Sequence, residues 1–293
     1  MVDIVLYAVG LPTAVMGTVL VLAILLPPLR RRAILADCSL ALCLPGAALL
    51  SFVLEKGMIL PGGEGWQKWF ITAWVLLGAI VLGLAAAGMG RGRQYGPTAV
   101  LAAGVAGAAV ALWLVLPGLD EAGARVTMGL KFALPVLVFA AAAALRRDVV
   151  FHIGVWAAAA ALSMTLLVSA NITLALTAGA LAACAAVAAV VLSIFPSSAP
   201  SKRVGLGGAV GVSIALVILV LVGQIYDIEG VAAWRWWLPL AGVPALLLLP
   251  KVPKTSSATG ASTMLALCVV IAPAIASIVL AALELAAASP AGF

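Results

Sequence analysis

Apolar stretches about as long as a bilayer is thick recur along this chain, and short gaps that carry most of the charge separate them. A helix needs about 20 residues to cross the hydrocarbon core, within a range of roughly 17 to 25. An open sheet in lipid would leave backbone N–H and C=O groups unpaired, so these segments must be helices. Strands of an outer-membrane barrel would alternate apolar with polar residues, and these segments do not. The pattern predicts an all-α, polytopic transmembrane bundle.

The lengths of the apolar stretches predict about ten spans. These lie near 4–27, 34–54, 69–88, 97–117, 126–145, 149–168, 173–195, 205–226, 236–250 and 262–284. Span 236–250 is short and carries Pro239 and Pro244, so we expect a tilted, broken or re-entrant segment there. The gap before 173–195 is minimal, and its hairpin rests on Asn171. No linker or soluble domain interrupts the pattern, which predicts a single integral membrane domain over 1–293.

The charges of the gaps alternate along the chain, and this alternation predicts the orientation. Eleven of the sixteen Lys and Arg residues fall in every second gap, at Arg30–Arg32, Arg91 and Arg93, Arg146–Arg147, Lys202–Arg203, and Lys251 with Lys254. The gaps between them carry acidic residues or, around Asn171, no charge. Short basic loops stay on the cytoplasmic side during insertion. We therefore expect both termini outside, in a plasma membrane or a bacterial inner membrane.

The composition indicates that most of this protein's surface faces the lipid bilayer. Only 9% of the residues are charged and 66% are hydrophobic, whereas a soluble domain carries about 25% charged residues. The net charge of +6 comes mostly from the basic loops, so it does not indicate nucleic-acid binding. Lys and Arg in such loops also attract anionic lipid. The predicted lipid head-group contacts are Arg30, Arg31, Arg32, Arg91 and Arg93.

Residues suited to a metal or a redox cofactor are sparse. The four cysteines lie inside apolar segments, where Cys usually behaves as a small hydrophobe, and no spacing indicates zinc or a disulfide. His152 is the single histidine, which excludes a haem held by two histidines and a His-rich metal site. We expect no metal, no cofactor and no catalytic set. No motif is specific enough to resemble a known family.

Ionisable groups inside a membrane are costly, so their depth decides which of them are functional candidates. Lys131 lies six residues beyond Arg125, about 9 Å from the outer end of its helix. It either lines an outward-facing cavity, paired with Glu284 or holding an anionic substrate, or it snorkels to the interface. Prolines inside spans free carbonyl groups, as they do in many transporter sites. The predicted substrate-binding residues are Lys131, Glu284, Gln224, Pro135 and Pro273.

Two further features concern packing. Asp37 lies near the inner boundary, where we expect its carboxylate to cap a helix N-terminus. The pairs Gly207 with Gly211 and Ala182 with Ala186 place small residues one turn apart, which is typical of closely packed membrane helices. These two faces are the predicted contacts with a second copy or another membrane protein.

Three functions fit the sequence. The first is a small-solute transporter or permease, which suits many spans, helices interrupted by proline and little extramembrane mass. A non-catalytic subunit or scaffold of a membrane complex fits equally well, because no buried charge reaches the midplane. The third, an intramembrane lipid-modifying enzyme, would have to work with Lys131, Asp37, His152 and Glu284. The sequence favours a protein without enzymatic activity over an enzyme.

Overall fold

A computed structural model describes residues 2–25, 33–57, 66–89, 122–145, 149–194, 206–227, 229–249 and 258–288. All regular structure within these ranges is helical. The predicted span 97–117 and the predicted lipid-contacting arginines lie outside the described residues, namely Arg30, Arg31, Arg32, Arg91 and Arg93.

The long helices follow the predicted spans closely. They are α1 (Val2–Val5) and α2 (Leu11–Leu25), joined by a π-helical turn over Leu6–Gly10, then α3 (Ala33–Lys56), α4 (Trp66–Met89), α5 (Ala122–Leu145), α6 (Val149–Val168), α7 (Ile172–Ile194) and α8 (Leu206–Ile225). Short pieces follow, namely α9 (Ala233–Trp237), a 3-10 turn over Leu238–Leu240, α10 (Gly242–Ala245) and a 3-10 turn over Leu246–Leu248. The last helix of the described chain is α11 (Ala258–Ala288).

Seven helical stretches in the described chain are long and apolar enough to cross a membrane, so the protein is a multi-pass helical membrane protein. These are Asp3–Ala23, Asp37–Lys56, Ile71–Gly88, Val150–Val168, Ile172–Ile194, Gly207–Ile225 and Ser262–Ala287. On α5 the apolar stretch found is shorter, Gly129–Phe139. Span 236–250 is not one helix but a series of short pieces. The count of ten is therefore not confirmed, and the sides of the termini stay a prediction.

Proline explains the π-helical turn in the first span. Pro12 has no N–H to donate to the carbonyl of Ala8, and a proline ring clashes with the carbonyl four residues earlier. The helix widens just before it, and the N–H of Leu11 reaches back five residues to the oxygen of Leu6. A single wide turn thus lets the span continue past the proline.

Helices α3 and α7 run in opposite directions, and one end of the bundle is rich in tryptophan. The Thr173 hydroxyl donates to Glu55 Oε1 at 2.7 Å, which brings the start of α7 to the end of α3. The ring of Trp236 packs against Gly223 near the end of α8. We call this end, which holds Trp69, Trp234, Trp236 and Trp237, the aromatic end. Asp37 and Gly207 lie together at the opposite end.

Helix α8 forms the centre of the bundle and depends on glycine for its close packing. It contacts α3, α4 and α5, and nearly all of its residues are buried. A Cβ atom on Gly207 would lie 2.5 Å from the carbonyl oxygen of Gly83, and one on Gly211 would lie 3.2 Å from that of Ala79. The Gly207–Gly211 face is therefore filled by helices of this chain. The close packing predicted for this face is thus found within the chain, and its contact with a second copy or another membrane protein stays a prediction.

The second predicted small-residue face lies on α7. Ala182 is buried and Ala186 is half-buried, on a helix that packs against α6, α3 and α2. Whether this face also meets another protein stays a prediction.

Asp37 caps a helix, but not the one on which it lies. Its two carboxylate oxygens accept hydrogen bonds from the backbone N–H groups of Gly207 and Gly208, at 3.0 and 2.8 Å. These amides lie in the first turn of α8, where no intrahelical acceptor exists. A carboxylate is also favourable there because of the helix dipole. The aspartate on α3 thus fixes the start of the central helix.

The hairpin between α6 and α7 confirms the role predicted for Asn171. Its side-chain amide donates to the carbonyl and the hydroxyl of Ser169, and its backbone N–H donates to the carbonyl of Leu166. Ala170 adopts the left-handed conformation, with φ 58°. These hydrogen bonds of Asn171 all lie within the turn itself.

Replacing Gly207 by Ala should destabilise the protein, because the new methyl group would overlap the backbone of α4. We expect a loss of about 1–3 kcal/mol, measured as a lower unfolding temperature in detergent. The matched control is Gly88→Ala on α4, where a Cβ would meet nothing within 4 Å. Equal unfolding temperatures for the two variants would show that the contact between α4 and α8 is not close.

Removing the carboxylate of Asp37 should weaken the start of α8. Asp37→Ala leaves two buried N–H groups without acceptors, at a cost of about 1–3 kcal/mol. Asp37→Asn keeps one oxygen and should lose less. Hydrogen exchange of the Gly207 and Gly208 amides checks the mechanism directly. Unchanged protection in Asp37→Ala would contradict the assigned cap.

The predicted orientation can be tested with cysteines introduced at opposite ends. Glu229 and Ser193 are both exposed, in the loop at the aromatic end and near the other end of α7 respectively. A membrane-impermeant maleimide should label Glu229→Cys in intact cells and Ser193→Cys only after permeabilisation. The reverse pattern would overturn the orientation. The unsubstituted protein controls for labelling of the native cysteines.

Candidate functional site

The most unusual element is the interrupted segment over residues 233–248, which we call the broken segment. Proline at 239 and 244 supplies no N–H, and the chain accordingly alternates between short α-helical and 3-10 pieces. It contacts α5, α6, α8 and α11, and Leu240, Val243 and Leu246 are buried. A Cβ on Gly242 would collide with the backbone of α11 at Val270. One face of the segment therefore packs closely against the bundle, while Trp234, Ala241 and Leu248 are exposed.

A charged pair joins the broken segment to the last helix. The Arg235 guanidinium on α9 contacts Glu284 Oε1 on α11. The Arg235 side chain is 10% exposed and that of Glu284 is 44% exposed. The guanidinium thus places a positive charge near the aromatic end. The carboxylate is the more accessible half of the pair.

Trp236, the neighbour of Arg235, is fully buried in a notch between two helices. A Cβ on Gly223 would lie 2.5 Å from the ring of Trp236 and 2.7 Å from Leu166 on α6. Glycine at 223 thus makes the space that the indole fills. The indole N–H is buried and has no hydrogen-bond partner in the described chain. The residue that follows Arg235 in sequence therefore carries a buried donor without a partner in the described chain.

The loop that leads into the broken segment is held by Asp227. Its carboxylate accepts hydrogen bonds from the backbone N–H groups of Glu229 and Val231. Gly230 supplies the left-handed conformation of the turn, with φ 73°. Burial raises the pKa of the Tyr226 hydroxyl above its ordinary value. The start of the broken segment is therefore fixed by local hydrogen bonds.

The five predicted substrate-binding residues lie on three helices, all of which contact the broken segment. Lys131 is exposed and Pro135 half-buried on α5, Gln224 is half-buried at the end of α8, and Glu284 and Pro273 are half-buried on α11. Within the described residues no hydrogen bond or ion pair joins Lys131, Gln224 and Glu284. The partner of Glu284 is Arg235 and not Lys131.

Arg235 is the residue that sequence reasoning missed. The pattern of charges places it in the gap before the predicted span 236–250, together with Asp227 and Glu229. The available signal was its place among Trp234, Trp236 and Trp237, since a charge inside an aromatic, apolar stretch is costly to bury.

A second polar group at the aromatic end lies between α3, α4 and α7. Glu55 Oε1 accepts the hydroxyl of Thr173, and the Lys56 ammonium lies 4.0 Å from the same oxygen. Lys56 also lies 5.2 Å from the ring centroid of Trp69. The second carboxylate oxygen of Glu55 is buried and has no hydrogen-bond partner within the described ranges. This group ties three helices together.

The histidine and the buried cysteines are not part of the two polar groups at the aromatic end. His152 is buried near the start of α6, at the opposite end, and neither ring nitrogen has a hydrogen-bond partner in the described structure. The Cys184 thiol donates to the carbonyl of Cys43 at 3.5 Å. In the part of the chain that the structure describes, no three His, Cys, Asp or Glu residues are grouped as metal ligands would be.

Three hydroxyl side chains join neighbouring helices. The Ser163 hydroxyl donates to the carbonyl of Ala175 on α7, and the hydroxyls of Thr165 and Ser277 lie 3.1 Å apart between α6 and α11.

Comparison of the chain with protein-family models, curated proteins and solved structures finds no match.

Proposed function

We propose that this multi-pass membrane protein is a small-solute permease whose solute passes beside the broken segment. The observation that carries the proposal is the interruption itself, at Pro239, Gly242 and Pro244, inside a bundle of otherwise continuous helices. Interrupted helices at depth form the solute sites of many transporters. The asymmetry of the basic gaps supports a plasma membrane or a bacterial inner membrane.

The buried charge favours a permease over a scaffold. Each buried ion costs several kcal/mol even after the protein relaxes, and apolar residues often stabilise a bundle as well or better. A continuous apolar helix in place of residues 233–248 would also pair its backbone fully. A subunit that only packs against partners has no use for either feature. A permease needs both a polar point of contact and a segment that can rearrange.

The residues predicted from sequence fit this arrangement. Pro135, Gln224, Pro273 and Glu284 lie on helices that contact the broken segment, and we assign them to the walls of the solute path. Lys131 is exposed on α5, so we place it at the rim and not in contact with Arg235.

The enzyme hypothesis receives less support. Asp37 is occupied by backbone amides at one end of the bundle, while Glu284 is paired at the other end. His152 lies near the same end as Asp37, but it is buried without a polar partner in the described chain. An acid–base pair requires two such groups within hydrogen-bond reach.

The proposal predicts solute movement through the purified protein. Proteoliposomes are loaded with small metabolites extracted from the producing cells, and the external solution is followed by mass spectrometry. A subset of solutes should leave faster than from protein-free liposomes. Arg235→Gln should slow that release by about tenfold or more, which corresponds to about 1.4 kcal/mol in the barrier.

Glu229→Gln is the matched control, because it neutralises an exposed carboxylate in the neighbouring loop. Release from this variant should equal that from the unsubstituted protein. If no solute leaves faster than from protein-free liposomes, the permease proposal fails and the subunit hypothesis takes its place.

A further inference from the structure

The corner around Arg235 has more hydrogen-bond donors than acceptors. A guanidinium carries five N–H donors in a planar fork, and the recorded side-chain contact of Arg235 in the described structure is the single oxygen Glu284 Oε1. The neighbouring Trp236 also has a buried indole N–H without a partner in the described chain, and its ring packs against Gly223. A buried donor without an acceptor costs about 1–3 kcal/mol. The chemistry of this corner therefore favours a ligand that brings acceptors and negative charge.

Glu284 shows which ligand geometry the corner accommodates. A carboxylate already contacts the guanidinium, so the space beside Arg235 admits a planar oxyanion. Arg and carboxylate commonly pair through two parallel N–H···O bonds. A solute carboxylate that takes the place of Glu284 would keep the charge balance of the buried site. The exchange therefore avoids the cost of leaving the arginine unpaired.

Arg235 and Glu284 differ in how freely each side chain can move. Arg235 is buried on a segment that packs against four helices, whereas the Glu284 side chain is 44% exposed and lies four residues before the end of α11. A rotamer change of the more exposed Glu284 would separate the pair without moving the buried guanidinium. Glu284 can thus leave the arginine and return to it.

We propose that Arg235 binds the anionic group of the transported solute, a small organic carboxylate, and that Glu284 is a built-in competitor that occupies Arg235 between solutes. The inference rests on the permease function proposed above. It assigns the solute class and gives the carboxylate on α11 the role of a positioning residue, which acts through Arg235.

Competition predicts opposite effects on binding and turnover. Without the Glu284 carboxylate no group of the protein competes with the solute for Arg235, so Glu284→Gln should bind the solute about tenfold more tightly. Release should slow at the same time, because nothing displaces the bound anion. In transport assays both KM and kcat should therefore fall. A purely structural ion pair would instead lower stability without tightening the binding of any anion.

Binding can be measured without knowing the natural solute. The protein is placed in nanodiscs of phosphatidylcholine and titrated with sodium acetate, sodium succinate or inorganic phosphate while tryptophan fluorescence is recorded, with acetamide as the neutral analogue. Acetate or succinate should change the emission and acetamide should not. Glu284→Gln should shift the midpoint about tenfold lower. Arg235→Lys, which keeps the charge but lacks the fork, should shift it higher by a similar factor.

Controls separate the alternatives. Glu229→Gln should match the unsubstituted protein, and circular dichroism with thermal unfolding establishes that each variant is folded. Adding phosphatidylglycerol to the nanodiscs tests whether the oxyanion comes from lipid. If the anionic lipid abolishes carboxylate binding, or if phosphate alone binds, the solute assignment fails.

Failure of the inference and failure of the permease proposal are distinguishable. If acetamide acts like acetate, or if Glu284→Gln leaves the midpoint unchanged, the anion assignment is wrong even though proteoliposomes release neutral solutes. If carboxylates bind as expected but no solute crosses the membrane, the binding site stands and the permease proposal falls.

Discussion

A backbone amide inside lipid has to find its hydrogen-bond partner within the protein, and the whole architecture depends on that constraint. Continuous helices such as α7 and α8 satisfy it by themselves. The broken segment contains two prolines without an N–H, and the chain there continues as short α-helical and 3-10 pieces. Its buried residues pack against α5, α6, α8 and α11, while Trp234, Ala241 and Leu248 are exposed. The inner face of the segment is thus held by the bundle, and this interruption is the feature on which the proposed function rests.

Close packing and isolated polar contacts hold the other helices together. Lipid is as apolar as leucine, so burial alone does not drive helices to associate. Gly207 lets α8 approach the backbone of α4, and Asp37 satisfies amides at its first turn. Thr165 with Ser277 and Thr173 with Glu55 join other pairs of helices. Each contact is local, and together they specify which helix lies beside which.

The candidate site was predictable in part. Prolines at 239 and 244 indicated an interrupted segment, and Glu284 was singled out because it lies at the end of a long apolar stretch. Arg235 was not singled out. It lies in a predicted gap between spans, where charges are explained by the orientation of the protein in the membrane. The pairing with Lys131 failed for a similar reason. Depth along a helix says nothing about the direction in which the side chain projects.

From the sequence alone follow the helices, most of their boundaries and the grouping of charge into alternate gaps. These features depend on composition within about 20 residues and on the need to pair backbone groups in lipid. Tertiary structure alone decided which surfaces meet. It turned the Gly207–Gly211 face inward, brought Asp37 to amides 170 residues away and set Glu284 against Arg235. Such partners depend on how separate helices pack, and that packing leaves no local pattern in a single chain.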